Sequence, residues 1–410
     1  LKRVRRLLVT VASLALTTTA LTTTAAASSQ PAAPTQHGGP HTKCKAVAPG
    51  SKAWKEGAVT ACTEVGPATS RTFAPHTRAD EQTSCPGSTN GVFATTRHDY
   101  CIQHDVTYTL YSKPGEEIGH ATMRVVTKAS PNARGRAWTE DVTVTATEVT
   151  SRVGAIEFAL RATCSGQCTM NKPHAWDGRH VLLNAGESKH DFLLYWSDVA
   201  QDGVTDILPT YYTDVYSVNE TEPGERDNGV WNGVYVRCDD QLARPYPGAG
   251  CIVSGTMANV DIPKSSYGAA AVTYEWAQNN LTGNNFGTKD KPLQRDASEK
   301  NADNRRAQSC DRAPMPFVKD PTVTDDSCDE FPFAKSTQGG TNGSLCAEIT
   351  PRLVSAGVWT VQIQRNPAGA PCVRSHVPQG ENTGAGGQLG RAVVSERILD
   401  HEWYAVTITP

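Results

Sequence analysis

Twelve cysteines, an even set, sit in a chain whose first residues read as an export leader, and these two features together constrain the fold most. Lys2, Arg3, Arg5 and Arg6 precede an uncharged run over residues 7–27. Its most apolar part, LLVTVASLAL, decays into threonines and closes in Ala25-Ala26-Ala27, small residues that a signal peptidase accepts. A membrane anchor is the competing reading, but the threonine triplets dilute the apolar run too early for a comfortable span. The expectation is a signal peptide over 1–27 and a secreted, extracellular protein without membrane attachment after cleavage. Export would deliver the cysteines to an oxidising compartment, where disulfides persist. Residues 28–43 are rich in Pro, Ala, Gly, Ser and His, lack apolar periodicity, and read as a flexible linker.

Charge is close to balanced, with 39 Lys and Arg against 42 Asp and Glu, so neither a polybasic arm nor an acidic tail dominates. Over residues 44–228 the pattern is period-two alternation. Val142, Val144 and Ala146 share one face of DVTVTATEV, and Thr143, Thr145 and Thr147 share the other. Ile156, Phe158, Leu160 and Ala162 repeat the pattern. Turn signals such as SPNARG and KPGEE separate these runs without helical patterns between them, which favours a β-sandwich-like accessory domain of unknown ligand. CSGQC reads as a local disulfide across Cys164 and Cys168 rather than a zinc site, because no second pair follows at finger spacing. His98, Tyr100 and His104 fall on one strand face and could hold a metal; a solvated strand with incidental histidines is the plainer account.

Texture changes near Val230. Cys238 ends a strand and Cys251 returns after a Pro/Gly loop, so the two are plausible disulfide partners. Ser265 or Ser266 would cap a helix through SYGAAAVTYEWAQ. Trp359, Val361 and Ile363 alternate as a strand, HVPQGENTGAGGQLG reads as a loop leading into a helix over roughly 388–399, and Tyr404, Val406 and Ile408 alternate in a last strand. Two places could do chemistry. Adjacent Asp329 and Glu330 cannot share a strand face, so one can address a metal or water while the other braces the site. Glu381 and Asn382 offer hard oxygen ligands suited to Mg²⁺ or Mn²⁺, with a helix N-terminus behind them that favours phosphate. The plain alternatives are a solvated acidic turn and an ordinary helix cap. Cys328 reads as half of a structural bridge rather than a thiolate nucleophile served by His376.

The run from about Val236 onward resembles the secreted NucA/NucB family of deoxyribonucleases, in its actinobacterial form. The landmarks are RCDD with Cys251, SYGAAAVTYEWAQ, PLQR around Arg295, DNRR around Arg305, SCDEFPFA, QGENTGAGGQLG and ILDHEWYAVTI, in that order. The resemblance implies a ββα-metal-type nuclease domain over 229–410, which, following the β-sandwich-like domain over 44–228, makes the expected fold class of the chain α+β. It also implies hydrolysis of DNA with little sequence preference, using Mg²⁺ or Mn²⁺. By position, Asp329 and Glu330 correspond to the acidic pair of the family's Asp-Arg-Asp-Glu-Tyr-Pro signature. Asn382 sits where related sites place a metal-binding residue, with Glu381 or Gln388 nearby. Ser327-Cys328 replaces Asp-Arg and Phe331 replaces Tyr, so phosphate contact would fall to Arg305, Arg306 or Arg391, with Gln388 also on the substrate side. No His stands where most such nucleases keep a general base; Asp329 is the expected base and Glu330 its support or a metal contact. Residues 245–410 carry a slight acidic excess, so DNA binding would need a clustered basic face and would be salt-sensitive. Two contrasting readings are a secreted binding or adhesion protein whose nuclease-like domain has lost catalysis, and a toxin with the nuclease as its warhead.

Overall fold

Alternation in the front region becomes long strands over Tyr100–Tyr111, Glu117–Ala129, Ala137–Val149 and Ser188–Ser197. The computed structural model describes residues 41–66, 69–72, 85, 92–221, 228–242, 248–312 and 314–410. The expected signal peptide and the 28–40 part of the linker lie outside the described residues. The linker's last residues are already folded: the strand His41–Ala46 pairs antiparallel with Thr60–Val65, tied by the Cys44–Cys62 disulfide. These strands belong to a nine-stranded sheet, and a four-stranded sheet over Val181–Leu183, Ile156–Cys164, Pro209–Ser217 and Gly229–Asn232 shares its apolar core. Val142, Val144, Ile156 and Phe158 all point into that core. At its centre the buried Glu140 carboxyl accepts from Tyr195 Oη at 2.6 Å and Tyr211 Oη at 2.5 Å, one tyrosine from each sheet. Burial pushes that carboxyl up from its ordinary range.

The apolar clusters divide between Val253 and Ala258. Strands over Val204–Ile207, Val236–Asp239 and Gly250–Val253 form a three-stranded antiparallel sheet. Val236, Cys238, Cys251 and Val253 therefore pack with the front core, although the change of texture near Val230 assigns them to the second region. The Cys238–Cys251 disulfide and the pairing of Thr205 with Cys238 hold this hairpin forward.

Behind it, two sheets and two helices enclose the second core. One sheet orders Ala258–Pro263, Trp403–Thr409 and Leu293–Gln294; the other orders Asp326–Phe331, Val373–Pro378, Ala347–Ser355 and Val358–Arg365. The helices span Lys264–Asn280 and Gln379–Ser395. Both differ from the sequence reading. The first starts at Lys264 after Pro263, not under a serine cap, and breaks at Gly268 (φ 40, ψ −118). The second begins at Gln379, so the glycine-rich segment expected as a loop is helical. Each interior glycine costs about 1 kcal/mol relative to Ala, but Ala385, Leu389 and Ala392 bury one face. At Gly384 an added Cβ would meet the Tyr267 ring at 3.4 Å, an ordinary contact distance, so the two helices pack closely at this point.

All twelve cysteines are paired, including Cys164–Cys168 as expected from their spacing. Among the described residues no helix is long and apolar enough to cross a membrane. Across the two cores run buried arginines: Arg97 donates to the Glu396, Arg397 and Thr256 carbonyls, and Arg397 reaches back to Asp239.

Candidate active site

The strand Asp326–Phe331 pairs only with Val373–Pro378, which leads directly into the helix Gln379–Ser395, so its far edge is open among the described residues. A cleft of about 530 Å³ runs along that edge. Asp329, Glu330, Arg306 and Asn382 all line it. Strand alternation places Asp329 on the helix side and Glu330 on the opposite side, towards the segment after the helix Glu299–Arg306.

Asp329 is 4 % exposed. Its Oδ1 accepts from Tyr274 Oη at 3.2 Å, while its Oδ2 is buried without a hydrogen-bond partner. Burial, then the neighbouring Glu330 charge, raises this carboxyl well above the usual carboxylate range. Burial also raises Glu330, to about 7, against the opposing pull of Arg306. Two adjacent carboxyls that resist ionisation are poised for a cation or for proton transfer.

Asn382 stands one turn into its helix. Its amide Nδ2 donates to the Cys328 carbonyl and to Ser327 Oγ, both at 3.1 Å. That clamp fixes the amide plane and leaves Oδ1 without a hydrogen bond among the described residues. Glu381 is different. Its carboxylate accepts from the Ala269 N–H and so caps the helix that restarts after Gly268, a role visible only once that break is known. It is not among the residues lining the cleft. An added Cβ at Gly268 would come 2.4 Å from Glu381 Oε2. Gly268→Ala is therefore expected to cost about 1–3 kcal/mol through strain and a displaced cap, measured as a lower denaturation midpoint.

The other expected substrate contacts separate. Arg305 pairs with Asp296 at 2.8 Å and donates to the Ala334 carbonyl, so it staples the fold. Arg391 donates to Tyr267 Oη at 2.7 Å and to Gln388 Oε1, and Gln388 donates to the Asp261 carbonyl; neither residue lines the cleft. Only Arg306 of the three arginines faces it. His376, considered as the base for a cysteine, is buried: it donates to Asp326 Oδ2 at 2.7 Å, and Cys328 is bonded to Cys310. In the front region His98 meets Glu396 at 2.7 Å while buried His104 bonds the Gly66 carbonyl, so they do not converge on a metal. Burial lowers His104 to about 4.

Among the described residues no three His, Cys, Asp or Glu side chains cluster as a metal site. The fit to a divalent ion rests instead on the clamped Asn382 Oδ1, an oxygen donor beside the cleft, with the unpartnered Asp329 Oδ2 on a residue of the same cleft to accept from water. Oxygen donors suit Mg²⁺ or Mn²⁺, which keep much of their shell as water and phosphate.

Residues 280–407 match the family model described as Deoxyribonuclease NucA/NucB. No curated protein and no solved structure matches the chain. The match spans the cleft strand, the Asn382 helix and most of the last strand, and leaves outside it the front β-rich region and all but the final residue of the Lys264–Asn280 helix. The C-terminal part of this chain is a deoxyribonuclease domain of the NucA/NucB type.

Proposed function

We propose that the chain is a secreted, divalent-metal-dependent endonuclease that hydrolyses DNA with little sequence preference, its antiparallel strand pair and following helix serving as a ββα-metal core. The observation that carries this reading is the buried, unpartnered oxygen of Asp329, a residue that lines the same cleft as the clamped Asn382 inside the matched segment. The disulfides support export.

Asn382 would hold Mg²⁺ or Mn²⁺, with Asp329 beside it. The ion supplies charge neutralisation at the phosphate and at the leaving oxygen. Asp329 takes the proton of the attacking water at Oδ2, and Tyr274 orients that carboxylate through Oδ1. Glu330 raises the basicity of Asp329 by its charge. Arg306 offers its guanidinium to a phosphate oxygen.

The test is supercoiled plasmid incubated with either ion, with and without EDTA. Nicking that EDTA stops supports the enzyme; plasmid left intact in both ions overturns it and leaves a binding protein.

The same carboxyls set a pH dependence that needs no turnover. Their folded values lie above ordinary carboxylate values, so between that range and about 7 the folded chain binds more protons than the unfolded chain. Metal-free stability therefore falls as pH rises through about 7, and a cation that favours the ionised pair offsets the fall. His376 acts in the same sense: burial opposes its charge, but hydrogen bonds to Glu348 and Asp326 raise its pKa, and that stabilisation is lost as pH rises through the folded value. The cation-dependent part discriminates. Mg²⁺ or Mn²⁺ is expected to raise Tm more at about pH 8 than at about pH 5.5. Equal shifts by scanning fluorimetry would remove the acidic pair from the ion's surroundings.

A further inference from the structure

Asp311, Asp326, Asp329 and Glu330 set four carboxylates around the cleft. A DNA backbone brought to such a surface is repelled unless cations stand beside it. Arg306, Lys319 and Lys335 also line the cleft, and the last two have had no part in the chemistry above.

Lys319 is the most informative. Its main chain is held on both sides. Phe317 lies against His376 with ring centroids 4.4 Å apart, and the Asp320 N–H donates to Asp326 Oδ2 on the cleft strand at 2.7 Å. The Cys310–Cys328 disulfide ties the start of the same segment to the same strand. Nearby acids already have partners: Asp320 meets Arg352 at 3.3 Å, and Asp326 meets His376. The Lys319 side chain is exposed and makes no ion pair among the described residues. A cation on a fixed backbone, next to an acidic bed and beside satisfied neighbours, is placed to meet a ligand and holds no ion pair that the fold uses. The flanking cations are held only loosely. Arg306 pairs with Asp303, which is 73 % exposed, and Lys335 with Glu299, which is 78 % exposed. Surface pairs of this kind contribute little and exchange readily for phosphate.

We propose that Lys319, flanked by Arg306 and Lys335, forms a row of phosphate contacts that seats the DNA backbone along the open edge of the Asp326–Phe331 strand. This rests on the nuclease reading and adds the path of the substrate to it.

Binding of the full chain to a fluorescein-labelled DNA duplex, measured by anisotropy in EDTA across a salt series, tests the row. Lys319→Ala should weaken binding several-fold at low salt and flatten the log K against log salt slope by about 1, and the triple Arg306/Lys319/Lys335→Ala variant by about 2–3. Lys319→Arg should restore the slope, while Lys113→Ala, on an exposed turn of the front region, should leave it as in the parent. In plasmid nicking, Lys319→Ala should raise KM more than it lowers kcat. Unchanged slopes in the single and triple variants, with plasmid still nicked by the parent, overturn the row and spare the nuclease. No nicking by the parent in Mg²⁺ or Mn²⁺ overturns the nuclease reading and the row with it.

Discussion

Asp329→Asn is expected to lower plasmid nicking by about 10²–10⁴-fold, the usual range for loss of a positioned general base, and at the same time to raise the Tm of the metal-free protein. The two effects have one cause. Asp329 is buried beside Glu330, with one oxygen partnered by Tyr274 and the other by nothing. Ionisation there works against the fold, and an isosteric amide removes the group that must ionise. A carboxyl kept for stability would give the opposite sign in Tm. Glu330→Gln should cost less activity, because its charge acts on Asp329 from the other strand face, and it should lower the pH at which activity appears. Plasmid nicking across pH, read beside thermal melts of the same samples, checks both. Full activity in Asp329→Asn would remove it as the base.

Local pattern carried the strands well, because alternation is a property of the segment itself. The spacing of Cys164 with Cys168 and of Cys238 with Cys251 likewise needed nothing from the rest of the chain. What stayed hidden depends on distant partners. Helix over residues 379–387 is unfavourable by glycine content and exists through packing on Tyr267 and the second core. Glu381 looked like an oxygen ligand because nothing in its neighbourhood announces a break at Gly268, more than a hundred residues earlier, after which it caps the buried Ala269 N–H. The arginines could be counted but not aimed: Arg305 turns to Asp296, Arg391 to Tyr267, and Arg306 alone of the three to the cleft. Lys319 carried no motif, and only the fixing of Phe317 and Asp320 gives it a direction. The packing of Val236, Cys238, Cys251 and Val253 with the front core was hidden for the same reason, since texture follows composition and a core follows contacts.

Asp239→Ala should destabilise the protein by about 3–5 kcal/mol, the range for stranding one charge of a buried pair. Arg397 and Asp239 are both fully buried. Arg397 Nε donates to Asp239 Oδ2 at 2.8 Å, and its terminal nitrogens donate to the Ala133, Asp239 and Gly248 carbonyls at 2.8–2.9 Å. The guanidinium thus enters the front core from the far side of the join and satisfies main chain there as well as a carboxylate. An isolated buried ion pair can often be exchanged for apolar residues at little cost. This one should resist that exchange, because Arg397→Met with Asp239→Leu would leave three carbonyls without their donor, at about 1–3 kcal/mol each. Arg397→Lys should also fail, since an ammonium cannot span the fork. Denaturant unfolding of the two single variants and the double variant separates the alternatives. A double variant close to the parent in stability would mean that the pair, and not the carbonyl cradle, is what Arg397 serves. Near-parent stability in Asp239→Ala alone would mean that the join does not depend on this contact. Because the join lies apart from the cleft, plasmid nicking well below the melting temperature should persist in folded Asp239→Ala, which would place the damage in the union of the two cores and not in the chemistry.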